Sequence, residues 1–242
     1  MSNQHSSENE GLEGSDLLAE LAGEATQKSK TLQFKEQDRQ ERIRKLHEAL
    51  SKIVQYFSQL SSHLNKIEPT VPRTYNVDPL TTKTNFKWSQ ANVDSRKQSL
   101  TDNALIDHVS MRVKLSATSP LLVKRRWNEL DKLKTELDDL GLSVSEDMNT
   151  QVRKQPQQDF FQIELTPDIL MRIQFRGEYD TGKIDILSNN FDGFGLAAYS
   201  LDPTDVSQTL LDEVGRFLIG RTDKLPEILS KTRFTPEHPI YR

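Results

Sequence analysis

The chain has 242 residues, 34% of them hydrophobic and 28% charged, with a formal net charge of −4. A chain of this size can bury one sizeable core, and no stretch approaches the ~20 consecutive apolar residues of a spanning helix, which excludes a membrane protein built on such helices. Cysteine is absent, which excludes disulfides, thiolate catalysis and Cys-based metal centres and fits a reducing cytoplasm.

The first thirty residues carry the whole net charge, six acidic against two basic. Residues 1–33 are rich in Ser, Asn, Gln and Gly, and this composition predicts a disordered acidic tail. The start of the chain has neither a basic n-region nor an apolar h-region, so no export signal is expected and the expected location is cytoplasmic. Leu17, Leu18 and Leu21 interrupt the tail directly after Ser15-Asp16, an N-cap signal. They predict a short helix that anchors in the groove of a protein partner.

Residues 34–68 read differently. Ile43, Leu46, Leu50, Ile53, Phe57, Leu60, Leu64 and Ile67 are spaced alternately by three and four, so every a and d position of the heptads is apolar while b, c and f are polar. A strict 3.5-residue period predicts a coiled-coil oligomerisation helix, because only supercoiling keeps such a stripe facing inward. Leu at a with Ile at d favours a trimer or tetramer of the chain over a dimer, and Val54 and Tyr56 widen the stripe in the same direction. The alternatives are that the stripe lies on the chain's own folded domain or pairs with a helix of a different protein. Pro69, Pro72 and Pro79 predict a stiff extended connector over 69–82.

Residues 83–222 read as an α+β domain. Val109, Met111, Val113 and Leu115 alternate with polar residues as in a half-buried strand. Ser119-Pro120 then supplies an N-cap and an N1 proline for a helix whose apolar face would be Val123, Trp127, Leu130, Leu137 and Leu140, closed by Gly141. Strands follow at Phe161/Ile163/Leu165, Met171/Ile173/Phe175, Ile184/Ile186 and Phe194/Leu196/Ala198, with turns at Asp180-Thr181-Gly182 and 189–193. Pro203 opens a last helix through Val206, Leu210, Val214 and Phe217 to Gly220. The reading is a two-layer domain, an antiparallel meander sheet covered by the two amphipathic helices, with residues 223–242 as a C-terminal tail.

Chemical motifs are weak. Gly193 to Ala198 fits G-x-G-x-x-A, but the segment alternates like a strand, whereas a dinucleotide loop must open a helix. Asp180 to Asp185 lacks the ligand spacing of a calcium loop. His5, His47, His63, His108 and His238 are scattered, without metal spacing or a serine elbow. No catalytic residue, cofactor site or metal site is assigned. The expected function is a non-enzymatic, oligomeric scaffold or adaptor that presents α+β domains for multivalent binding of another protein, without a membrane. The competing expectation is a nucleic-acid binder. It would use Arg112, Lys114, Arg172, Arg176 and Lys183 on the solvent face of the sheet, together with Lys124, Arg125 and Arg126 beside Trp127 at a helix start.

Overall fold

A computed structural model describes residues 16–73, 85–101, 104–117, 121–139, 159–165, 168–193 and 195–233. The protein is α+β, and its sheets are antiparallel throughout. It divides into two units, 1–43 and 44–242.

Within the first unit, residues 16–43 are helical. They begin a single helix, α1, that runs Asp16–Ile67, so residues 16–33 are helical rather than a disordered tail. Ala19, Ala22 and Ala25 have high helix propensity, and Gln40–Glu36 and Arg42–Asp38 pair one turn apart.

The second unit is built on a six-stranded sheet in the order β1 (Thr70–Val71), β2 (Phe86–Lys97), β3 (Ile106–Ala117), β6 (Asp168–Glu178), β7 (Lys183–Asn189) and β8 (Leu196–Leu201). Between β3 and β6 the chain makes a two-stranded ribbon, β4 (Leu121–Arg126) with β5 (Phe160–Leu165), and a helix, α2 (Leu130–Asp139). The chain finishes with α3 (Gln208–Leu218) and α4 (Glu227–Thr232).

The stripe on residues 44–67 of α1 is not an open seam. Leu46, Leu50, Ile53 and Phe57 are fully buried and Leu64 nearly so, inside the core of their own chain. Phe57 stacks on Phe175 of β6 at 5.4 Å. A Cβ on Gly177 would stand 2.9 Å from Leu50 Cδ1, so the helix side chains lie tightly against β6 at that position and would have to shift to admit a side chain there. Asn65 fastens the far end: its Oδ1 accepts from Ala91 N–H at 2.7 Å and Trp88 Nε1–H at 3.0 Å, and its Nδ2 donates to Ala91 O. The expected coiled coil is therefore corrected. Leu60 and Ile43 are half-buried and Ile67, at the end of the stripe, is 68% exposed. Ala49 and Ser61, outside a and d, are also buried. The helix thus buries a broad face, as on a sheet, rather than a narrow two-helix seam.

The connector is corrected too, as far as it is described. Thr70 and Val71 pair with Lys87 and Phe86, and the Arg73 guanidinium donates to the carbonyls of Phe191 and Phe217 while lying 4.1 Å from the Phe217 ring. Gly220 ends the turn after α3 at φ 70°, and a Cβ there would stand 2.9 Å from Pro72 Cδ. Residues 74–82 lie outside the described residues.

Residues 121–126 form a strand, where a helix start was expected. Val123 points inward with Phe161 and Ile163, and Lys124 and Arg126 point outward. Helix follows only from a 3₁₀ turn at Trp127–Glu129, with Leu133 and Leu137 buried and Trp127 on Phe161 at 5.7 Å. The other end of that predicted helix, Leu140-Gly141, lies outside the described residues, as do Ser119-Pro120 and Phe194. α3 is capped by Ser207, whose Oγ accepts from Leu210 N–H, and it meets α1 closely at Gly215, where a Cβ would touch the Tyr56 hydroxyl. Within the segment expected as a C-terminal tail lies α4, with Leu229 buried.

Candidate functional site

Three surfaces carry side chains that the core does not use. The first is the helix of the first unit. Leu17, Leu18 and Leu21 are 60%, 65% and 49% exposed. Leu18, Leu21, Ala22, Ala25 and Leu32 fall at i, i+3, i+4, i+7 and i+14, one side of a helix. Glu20 and Glu24 border them. The leucines singled out in the sequence are thus placed together on one formed helix.

The second surface is the solvent face of the six-stranded sheet. Register brings Arg112 opposite Arg172, and His108 opposite Arg176. The cations are largely matched, however. Arg112 pairs with Asp94 at 3.3 Å, Lys114 with Asp168 at 2.7 Å and Arg176 with Glu178 at 3.4 Å. Arg172 donates to Ser110 Oγ and Gln174 Oε1. Hydrogen bonds from Lys114 and Ser116 hold the Asp168 carboxyl below its ordinary value. Burial raises that of Asp185, against the opposing pull of Arg176 and Lys183. A face of alternating sign has little net field with which to track phosphates.

The third surface is the outward face of the β4–β5 ribbon. Lys124 pairs across from Gln162, and Arg126 across from Phe160. All four side chains point away from Val123, Phe161 and Ile163. Lys124 Nζ lies 5.2 Å and Arg126 Cζ 5.8 Å from the centroid of the ring of Phe160, a residue 36% exposed. Arg125, expected with them, is half-buried on the inward side. Phe160 was not singled out in the sequence; its signal was the alternation of 160 and 162 against 161 and 163.

A polar cleft of about 410 Å³ runs between α1 and α3, lined by Lys52, Gln55, Gln59, His63, Gln208 and Asp212. Burial, reinforced by Asp212, pushes the Tyr56 hydroxyl at its edge above its ordinary range. Burial likewise raises the Tyr179 hydroxyl to about 12, where it donates to Ile106 O. His47 accepts from Ile106 N–H at 3.3 Å, and His108 stands 2.9 Å from Asp107; His5 and His238 lie outside the described residues. Asp180 to Gly182 is a turn, closed by Gly182 N–H to Glu178 O. Gly193 and Gly195, both at positive φ, lead into strand β8 and not into a helix. Among the described residues no cluster of His, Asp and Glu could hold a metal ion, and no helix is long and apolar enough to cross a membrane. Comparison with protein-family models, with curated proteins and with solved structures returns no match to this chain.

Proposed function

We propose that this protein is a non-enzymatic adaptor whose docking element is the leucine-bearing helix of residues 16–43. The observation that carries the reading is the exposure of Leu17, Leu18 and Leu21 on a formed helix, together with Leu32 at 58% and Phe34 at 72%. Three leucines within five residues cost solvation wherever they stay in water, about 1.5–3 kcal/mol each relative to full burial. The mode is a helix laid in a groove, read through i, i+3, i+4 and i+7 anchors. With Glu20 and Glu24 beside the anchors, the partner is a protein groove with an apolar floor and basic side chains at its rim. Self-association through Ile43 to Ile67 is not part of this reading, because the middle of that stripe is used within the chain.

The test compares the full chain with L17E/L18E/L21E, each immobilised and exposed to extract of the native host. A partner held by the wild type and lost from the variant, with unchanged circular dichroism and melting, supports the reading. Identical retention by both chains refutes it. Light scattering on the same samples gives the oligomeric state independently.

A further inference from the structure

We propose that the outward face of the β4–β5 ribbon is a binding site for single-stranded nucleic acid, with Phe160 as the stacking platform and Lys124 and Arg126 as phosphate contacts. The site is separate from the helix of residues 16–43 and does not depend on the adaptor reading.

The argument begins with what a ribbon face of this kind is for. A two-stranded ribbon buries one side, here Val123, Phe161 and Ile163, and its other side is free to be wholly polar. This one instead sets a phenylalanine ring there and places two cations against it. Cations over an aromatic face gain about 0.5–1 kcal/mol at exposed sites, too little to account for leaving Phe160 36% exposed on that face. Among the described residues neither Lys124 nor Arg126 is held in an ion pair with a carboxylate, unlike Arg112, Lys114 and Arg176 on the main sheet. The Glu129 carboxylate accepts from the Arg126 backbone N–H at 3.1 Å and leaves both cationic heads to the ribbon face.

The spacing suits a flexible strand. Lys124 and Arg126 are two residues apart on β4, about 6.6 Å, so their charges can meet successive phosphates of one chain. A base stacking on Phe160 displaces the two cations outward, exchanging ring contacts for charge-assisted hydrogen bonds to phosphate oxygens. Gln162, across from Lys124, offers both a donor and an acceptor to a base edge. A duplex keeps its bases stacked inside and cannot use the ring, and single strands are what an exposed aromatic selects.

Fluorescence anisotropy of the full chain with a labelled oligothymidylate of about a dozen nucleotides, a site size typical of such binders, at low salt tests the proposal. A matched duplex, heparin and an acidic peptide serve as competitors. The single strand is expected to bind in preference to all three. Phe160→Leu, which keeps the ribbon apolar at that point, weakens it by roughly 5–100-fold with an unchanged melting curve. Lys124→Gln with Arg126→Gln lowers the slope of log affinity against log salt by about 1.4. Absence of binding at low salt, equal affinity for duplex or heparin, preference for the acidic peptide, or an unaltered affinity in Phe160→Leu each overturns the proposal.

Discussion

Asp185 lies half-buried on the solvent face of β7, opposite Arg176 on β6 and Ser200 on β8. Burial raises its carboxyl more than Arg176 and Lys183 lower it. A raised folded-state value means the native protein holds that proton more tightly than the unfolded chain. The resulting stability is complete below the unfolded value near 4 and is lost as pH rises through the folded one. At neutral pH the charged carboxylate is therefore a net cost. Asp185→Asn is expected to raise the melting temperature at pH 7 by roughly 1–3 °C and to leave it unchanged near pH 3, measured by calorimetry. A lower melting temperature at pH 7 would show that the two cations outweigh the burial. Asp168 has the opposite sign: Lys114 and Ser116 stabilise its charged form, so its contribution is present at neutral pH and disappears on acidification.

At the scale of elements, Ile53 distinguishes the two readings of the apolar stripe. In a stalk, an aspartate there would separate the copies and leave the sheet domain folded. Ile53 is instead fully buried beside the sheet, and an unpaired buried charge costs several kcal/mol. Ile53→Asp is expected to lower the melting temperature of the α+β unit by more than about 10 °C, or to unfold it outright, as followed by near-ultraviolet circular dichroism. The stripe itself was legible in the sequence, and its cover was not. Over the described heptads a 3.5-residue pattern drifts about 20° per heptad against a straight helix, which a broad sheet tolerates; the exposed Ile67 marks where the stripe leaves the cover. Ala49, Val54 and Tyr56 were the available signal of a wide face. β3, β6 and β7 were legible from alternation, whereas β8 was found but read one residue out of phase: Ala197, Tyr199 and Leu201, not Leu196 and Ala198, pair with Ser188, Ile186 and Ile184 on the core side. β2 was not legible, because the register shift between Trp88 and Gln90 changes the inward set from Phe86 and Trp88 to Ala91 and Val93, and breaks the period of two. β4 was read as helix because Val123, Trp127, Leu130 and Leu137 also fit a helical spacing, and the long-range pairing with β5 decided otherwise.

For the whole molecule, the boundary between units falls at Ile43 within α1, and not in the proline-rich segment. The second unit holds the sheet, the ribbon and every buried position of the core cluster. Removing residues 1–43 is therefore expected to move its melting temperature by no more than about 3 °C, and loss of cooperative unfolding in the shortened chain would contradict that division. The candidate sites were less legible than the fold. Leu17, Leu18 and Leu21 stood out because a polar composition surrounds them. The ribbon face was hidden, since its parts lie more than thirty residues apart and join only through the pairing of Arg126 with Phe160.

The stacking of Phe57 on Phe175 bears on how the chain is made. At 5–20 residues per second, the ribosome needs roughly 6–24 seconds to extend the chain from Phe57 through Phe175, 118 residues further on. The apolar stripe of Leu46, Leu50, Ile53 and Phe57 is finished early and waits that long for strand β6 to arrive. Such a delay gives molecular chaperones a natural client, and it makes crowding of nascent chains the hazard most particular to this topology.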